Sequence, residues 1–547
     1  MAKERGENVE NNLLTEQWLS VENPQGAVQR FSLPELFSAL ERNEVAAFPA
    51  LRPHQAAPFH VWLVQLVCHA LETAGQVEKL PPPDPQKPWA MLGRHSPDEW
   101  RDMIRGIVPD YSRKFPHDEP WRLVTDDLNK PAFMQVPAPE GKIADYRGEA
   151  QFPDDLDLLI SSKNFDVKSG VMKLPSAEEW VFALISLQTN SGYGGPKLYG
   201  IARQNKGTSI RPILTLQSSS SPGARWGRDA RVILNCPSDW ELYAFCQNEK
   251  EIRLLWLEPW DGKTSFALRD LHPLFLEICR RIRVVHSGNS IIIKKATSEC
   301  TRVDIEKTGG NLRDPWEPIV LDKEGSHVFG KELNYANLAK ILADGDEKEE
   351  IQKPLLLRYH KGIDDPAAAQ AWCSALMKEK GKTKGHKELL IPVNVTRMNK
   401  NTLRTAASNM INLVETAKNT VLGAALARFM QCGKSADGSK AIDCKSVDVQ
   451  SWLPVVKCKM EDEVETLFFR YLWDTCSRIS PNGKITDKKW LVPWKTCLRR
   501  LVRKYYEIGV SSLPGSVSQS VKARALSELT LGRLLAIHLK TAEEEEG

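Results

Sequence analysis

Four long amphipathic segments close this chain, and they limit the fold of its last part more tightly than any other feature. Leu403–Gln431 carries Ile411, Val414, Val421, Leu422 and Ala425 at helical spacing. Asp462–Arg478 sets Val464, Leu467, Phe468, Tyr471 and Leu472 on one face, and Trp490–Ile508 does so with Leu491, Trp494, Leu498, Leu501, Val502 and Tyr505. Ser518–Leu539 offers Val521, Ala525, Leu529 and Leu535. A helix with such a stripe must bury it against other helices. Four of them joined by loops predict a four-helix bundle over residues 401–547. The Lys/Gly-rich stretch Lys378–His386 ahead of it reads as a linker.

Upstream the pattern is mixed. Ser32 and Ser96 are expected as N-caps, each followed by a proline in the first turn. Phe59–Glu72, opened by Pro58, is apolar on nearly all sides and predicts a buried helix containing His60 and His69 as structural residues. Short apolar runs at Ile210–Leu216, Arg231–Asn235, Ile252–Trp256, Ser290–Lys295 and Pro354–His360 predict strands. Leu274–Val285 and Asp364–Met377 predict helices. The fold class is therefore α+β, a large mixed α/β N-terminal domain over residues 1–400 followed by the bundle.

Composition excludes several functions. No apolar run reaches the length of a membrane span, and no apolar leader follows Met1. The 11 cysteines are scattered without a C-x-x-C pair, which reads as reduced thiols in a cytoplasmic protein. No H-E-x-x-H, G-x-S-x-G or kinase set is present, so neither a metal site nor a catalytic constellation is expected. The acidic pairs Asp154-Asp155 and Asp344–Glu347 read as surface loops. A formal charge of +4 is too small to demand nucleic acid by itself.

The local features are more suggestive. Asn190-Ser191-Gly192-Tyr193-Gly194-Gly195-Pro196-Lys197 is a glycine loop with Lys197, Arg203 and Lys206 after it. From these residues alone two readings stay open. One is an ordinary helix-to-strand turn; the other is a loop whose backbone approaches an anion or a polynucleotide closely. It is neither a P-loop nor a dinucleotide fingerprint. Arg499, Arg500, Arg503 and Lys504 form a basic stripe on one helix, either a solvated face or a phosphate-tracking one.

Taken in order, several segments resemble the CasA family, the large subunits of the type I-E CRISPR surveillance complex Cascade. They are Asn12-Leu13-Leu14 with Trp18 and Val21, Pro131-Ala132-Phe133-Met134-Gln135, Gly192-Tyr193-Gly194-Gly195, and Glu465–Arg470 in the bundle. The resemblance implies a binding subunit without cofactor, metal or enzymatic activity. It implies partnership with other Cascade subunits, the CRISPR guide RNA, double-stranded target DNA and a helicase-nuclease, in antiviral defence and away from membranes.

The family reads a short protospacer-adjacent motif (PAM) from the minor groove with a glycine loop, a lysine finger and a glutamine wedge. Carried over, these are Gly194 and Gly195, then Lys307 with Arg302 as the alternative. For the wedge, Asn399 or Lys400 stands where the family has glutamine. The loop containing Asn164, Phe165, Asp166 and Lys168 is expected to meet the guide RNA or a neighbouring subunit. Two rival classes remain: a hydrolase or nuclease whose catalytic groups meet only in space, and a scaffold that binds only proteins.

Overall fold

The computed structural model describes residues 12–164, 175–236, 250–288, 290–323, 325–343, 350–379, 382–393, 400–434, 447–478, 488–512 and 517–540. Two compact units emerge, Met1–Leu333 with Lys348–Val395, and Asn334–Glu347 with Thr396–Gly547.

In the first unit a hairpin of β1 (Leu19–Glu22) and β2 (Val28–Phe31) leads into α1 (Leu33–Glu41). Ser32 caps α1 reciprocally: its N–H donates to the Glu35 carboxylate at 2.7 Å. α2 (Pro53–Thr73) starts ahead of the expected Pro58, because Pro53 occupies the first turn, where a missing N–H costs nothing. α3 (Pro97–Gly106), capped by Ser96, and the short α4 (Tyr111–Lys114) follow. Around α2 the tryptophans are spent on the core. Trp62, Trp100, Trp121, Trp226 and Trp256 are all fully buried, and Phe37 packs edge-on against Trp100 at 5.2 Å.

Next come β3 (Gly148–Ala150), α5 (Ala177–Asn190), β4 (Ile213–Gln217), α6 (Pro222–Asn235), β5 (Ile252–Leu254), β6 (Leu271–Leu276), β7 (Arg281–Ser287) and β8 (Ser290–Ala296). β9 (Ile319–Asp322), β10 (Gly325–Val328), β11 (Glu350–Gln352), β12 (Gln370–Glu379) and β13 (Lys382–Pro392) complete the strands. The antiparallel sheets run β3-β8-β7, β13-β12-β4 and β10-β9-β11, while β5 and β6 pair in parallel. Asp229 ties these layers together. It accepts from Thr215 Oγ1 at 2.5 Å and Trp316 Nε1 at 3.2 Å, and its Oδ2 lies 2.9 Å from His60 Nε2.

Five expectations in this unit are overturned. Arg231–Asn235 ends helix α6, not a strand; Ser221 caps α6, and Trp226, Ala230 and Ile233 form its buried face. Leu274–Val285 is parts of two strands, β6 and β7; a sheet buried on both faces reads as a continuous apolar run, like a buried helix. Asp364–Met377 is mostly strand β12. The Lys378–His386 stretch is no linker: Lys378 and Glu379 belong to β12 and Lys382–His386 to β13, with Ser374 opposite Glu388 in register. Pro354–His360 holds a 3-10 turn in place of a strand.

The second unit contains α7 (Tyr335–Leu342), α8 (Lys400–Glu415), α9 (Gly423–Lys434), α10 (Val447–Arg478), α11 (Val492–Ser512) and α12 (Val517–His538). A π-helical stretch, Thr416–Leu422, joins α8 to α9. Phe468 packs on Tyr335 at 4.8 Å and edge-on to Trp494 at 5.9 Å, joining α10 to α7 and α11. α12 departs from its expected orientation. Val521 and Leu529 are 66% and 71% exposed, and the buried face is Ala523, Ser527, Leu531 and Leu535. α12 has apolar residues on both sides, so its period alone could not choose between them.

That orientation is measurable. Leu529→Ala should change stability by no more than about 0.5 kcal/mol, as exposed substitutions do. Leu535→Ala should cost about 2–5 kcal/mol through the cavity it leaves. Chemical denaturation of both variants checks this; equal losses would put α12 the other way round.

Candidate nucleic-acid interface

The glycine loop is a hairpin built on a second loop. Gly194 N–H donates to Leu198 O at 2.9 Å, and Leu198 N–H to Gly195 O at 3.0 Å. Gly195–Leu198 is thus a four-residue turn with Pro196 second and Lys197 third. Lys197 has φ +65°, the left-handed value that a type II turn demands at this place. Its carbonyl accepts from Ser298 N–H at 3.0 Å. Lys197 is exposed.

Beneath the hairpin, Tyr193 N–H donates to Gly207 O at 2.8 Å, and Gly200 N–H to Lys206 O at 2.8 Å. The two strands of this base touch through glycines. A Cβ on Gly200 would lie 2.6 Å from Gly207 Cα and 2.4 Å from Ser191 O, so neither position admits a side chain. At Gly195 the case is different: φ is +124°, but a Cβ there would meet nothing within 4 Å. Gly200 and Gly207 make the hairpin possible, whereas Gly195 leaves its outer surface bare. Gly194 already spends its N–H on Leu198.

Arg280 holds the hairpin from below. Its Nη2 donates to Gly192 O at 2.7 Å and Ser191 Oγ at 2.9 Å, and its Nη1 donates to Tyr199 O. Burial pulls its pKa below the usual arginine value. The next segment rests on a buried ionic cluster. Arg203 pairs with Glu277 at 3.0 Å and with Asp314 at 3.3 Å, and it stacks over Phe275 at 4.0 Å. Arg211 donates to Asp314 at 3.0 Å, and Lys378 Nζ donates to Gln204 Oε1. Burial brings the Lys378 ammonium down to about 7 and raises the Glu317 carboxyl well above its usual range.

Lys307 stands on the turn Ile305–Gly310, exposed to solvent. That turn abuts the second loop: a Cβ on Gly310 would lie 2.5 Å from Asn205 N. The structure therefore brings the Lys307 turn against the loop that supports Gly194 and Gly195. Arg302, the alternative finger, is buried and occupied. It donates to Glu258 O at 2.8 Å and Pro259 O at 3.1 Å, and it stacks over Phe266 at 4.1 Å. Arg203 is likewise structural.

Asn164 is buried and donates to Leu159 O at 3.0 Å. Phe165, Asp166, Lys168, Asn399, Asp344–Glu347 and the Lys400 side chain lie outside the described residues; Lys400 is the first residue of α8. Asp154 is no surface loop residue: it is buried and pairs with Arg52 at 2.6 Å. In the second unit Arg500 and Arg503 are exposed on α11. Arg499 donates to Leu539 O at 3.2 Å, and Lys504 pairs with Glu463 at 2.5 Å.

His69, Glu72 and His272 gather three ligand-type groups within 4.8 Å. Their atoms are already engaged. Arg253 donates to His69 Nδ1 at 2.9 Å and to Glu72 at 2.5 Å, and Leu274 N–H donates to His272 Nδ1 at 3.1 Å. Burial holds His69 neutral down to about pH 3. Among the described residues, no helix is long and apolar enough to cross a membrane.

A mixed α/β unit followed by a helical unit is an architecture shared with CRISPR-associated proteins of known structure. The chain belongs to the family of CRISPR-associated protein Cse1, whose model matches residues 12–504. CasA of Thermus thermophilus is similar with a TM-score of 0.59 and 14% identity, over 96% of this chain and 100% of that one. Cse1 from Acidimicrobium ferrooxidans gives 0.57 and 14%, over 98% of both chains. A chain of a structure described as a CRISPR RNA-guided surveillance complex gives 0.53 and 14%, over 96% of this chain and 99% of that one. No curated protein sequence matches.

Sequence reasoning missed Arg280, Glu277 and Lys378, whose roles exist only in space. The cluster has a pH signature. Between about pH 7 and the ordinary lysine value of 10.5, the unfolded chain holds a proton on Lys378 that the folded chain lacks. Stability should therefore rise with pH across that window, by up to about 1.4 kcal/mol per unit. Lys378→Met should flatten this rise in denaturation measurements at the two ends of the window.

Proposed function

We propose that this chain is the large, non-enzymatic subunit of a type I-E Cascade complex, and that it reads a PAM in double-stranded DNA from the minor groove. The observation that carries the reading is the glycine hairpin, open to solvent space at Gly195, held from below by Arg280 and resting on the loop that the Lys307 turn abuts. A minor groove presents mainly acceptors and little room. A backbone N–H with no side chain around it reaches such acceptors, and an exposed lysine supplies a second donor.

In this reading the subunit works in the cytoplasm with the other Cascade subunits and the guide RNA. It helps open the duplex and recruits the helicase-nuclease in antiviral defence. Asn399 or Lys400 serves as the wedge, and the loop Asn164–Lys168 meets the guide RNA or a neighbour. The exposed part of the basic stripe, Arg500 and Arg503, tracks target DNA or a subunit, with Arg499 at its edge.

The test uses the fully assembled complex and two substrates, PAM-containing duplex and single-stranded target. A single mismatched base pair costs about 1–3 kcal/mol in typical sites, roughly one to two decades in affinity. Gly195→Asp should cost the duplex more than that, because a side chain and a negative charge would stand where the groove must enter. Lys307→Ala should cost less. Neither should alter binding of the single strand, which needs only the guide. Equal losses on both substrates would mean that the assembly was damaged. An unchanged duplex affinity would reduce the hairpin to a turn.

A further inference from the structure

A cleft of about 1020 Å³ opens beside the hairpin, with Gly194, Lys197 and Leu198 among its lining. Its lining carries charges of both signs, and the hydrogen bonds separate the occupied groups from the free ones. Asp155 accepts the Gln151 and Phe152 N–H groups at 2.8 and 3.1 Å. Asp157 is paired with Arg52 and lies 2.9 Å from His54. Asp261 accepts the Lys263 and Thr264 N–H groups at 2.8 and 3.2 Å. Of the arginines, Arg280 is spent on the hairpin carbonyls, and Arg281 donates to Thr297 O at 2.9 Å.

Four cations remain: Arg147, Lys197, Lys263 and Lys295 line the cleft and have no ion pair among the described residues. Only two carboxylates, Asp145 and Glu299, stay exposed without a described partner. Only Asp157 is neutralised, by Arg52, since Asp155 and Asp261 keep their charge while accepting neutral N–H groups; six lining cations therefore stand against four uncompensated carboxylates, a modest excess of positive charge toward a ligand. The free cations come from several segments: the hairpin, the Asp145–Gly148 loop, the Asp261–Lys263 turn and strand β8. Such spread suits an extended polyanion better than one compact anion.

We propose that this cleft is a phosphate-tracking subsite for the DNA strand that meets the glycine hairpin, with Arg147 and Lys263 as its principal backbone contacts. The inference rests on the reading above, since it takes the hairpin as the point where DNA arrives. Its contacts position the strand and carry no sequence information.

The experiment measures the salt dependence of DNA affinity for the complete complex. Each phosphate contact with duplex DNA contributes about 0.9 to the slope of log K against log salt. Arg147→Gln combined with Lys263→Gln should therefore make the slope shallower by about 1.8. Both side chains are exposed, so the fold should be retained. A change confined to duplex places paired DNA in the cleft, whereas a comparable change on single-stranded target places the unpaired strand there. The opposite variant, Asp145→Asn with Glu299→Gln, should tighten binding several-fold. Unchanged slopes on both substrates would overturn the subsite. Gly195→Asp run alongside separates the two ideas: loss of duplex binding there, with unchanged slopes in the double variant, leaves the hairpin reading intact and removes only the cleft.

Discussion

The glycine hairpin depends on charges that solvent hardly touches. Glu277, Arg203, Asp314 and Arg211 are each less than a tenth exposed and share hydrogen bonds in one cluster. Burying such groups is costly, and deleting one partner typically costs about 3–5 kcal/mol because the other is left uncompensated. The cluster gains little net stability from being ionic. It gains definition: Glu277 accepts the Ala202 N–H as well as the Arg203 guanidinium, so the second loop has one place to sit. Gly200 and Gly207 then bring the hairpin down onto that loop at contact distance.

Two kinds of glycine work here. Gly200, Gly207 and Gly310 are required by what lies against them, and any side chain would strike backbone. Gly195 is required by its backbone angle, with open space beyond it. The sequence shows only a glycine-rich stretch and cannot sort these classes, because the sorting depends on the partner strand. The same holds for the cations. Arg203 and Arg302 look as suitable as Lys197 and Lys307 for meeting a phosphate, yet both are consumed inside the fold.

Much of the helical content was legible. Ser32 and Ser96 announce their helices through capping chemistry that is purely local, and the heptad-like spacing in Leu403–Gln431 and Trp490–Ile508 needs only one helix face to be apolar. The errors cluster where both faces of an element are buried. β6 and β7 carry apolar residues and a buried Arg283 with no alternation visible, and α12 has apolar residues on its outer face too. Lys378 was illegible for another reason. Its Lys/Gly-rich surroundings fit a linker, and only the pairing that sets Lys378 opposite Thr383 of β13 and the bond to Gln204 place it beside the buried cluster.

Arg280 has a consequence for the field around the hairpin. Its guanidinium is held by a hydroxyl and two carbonyl oxygens, and among the described residues no carboxylate bonds to it. The charge is fixed beneath the hairpin, half-buried at the wall of the cleft. Exposed lysines lose their reach as salt shortens the Debye length, but a partly buried charge is screened less. The mouth of the hairpin thus keeps part of its positive potential as salt rises, a short-range bias toward anions that outlasts long-range steering.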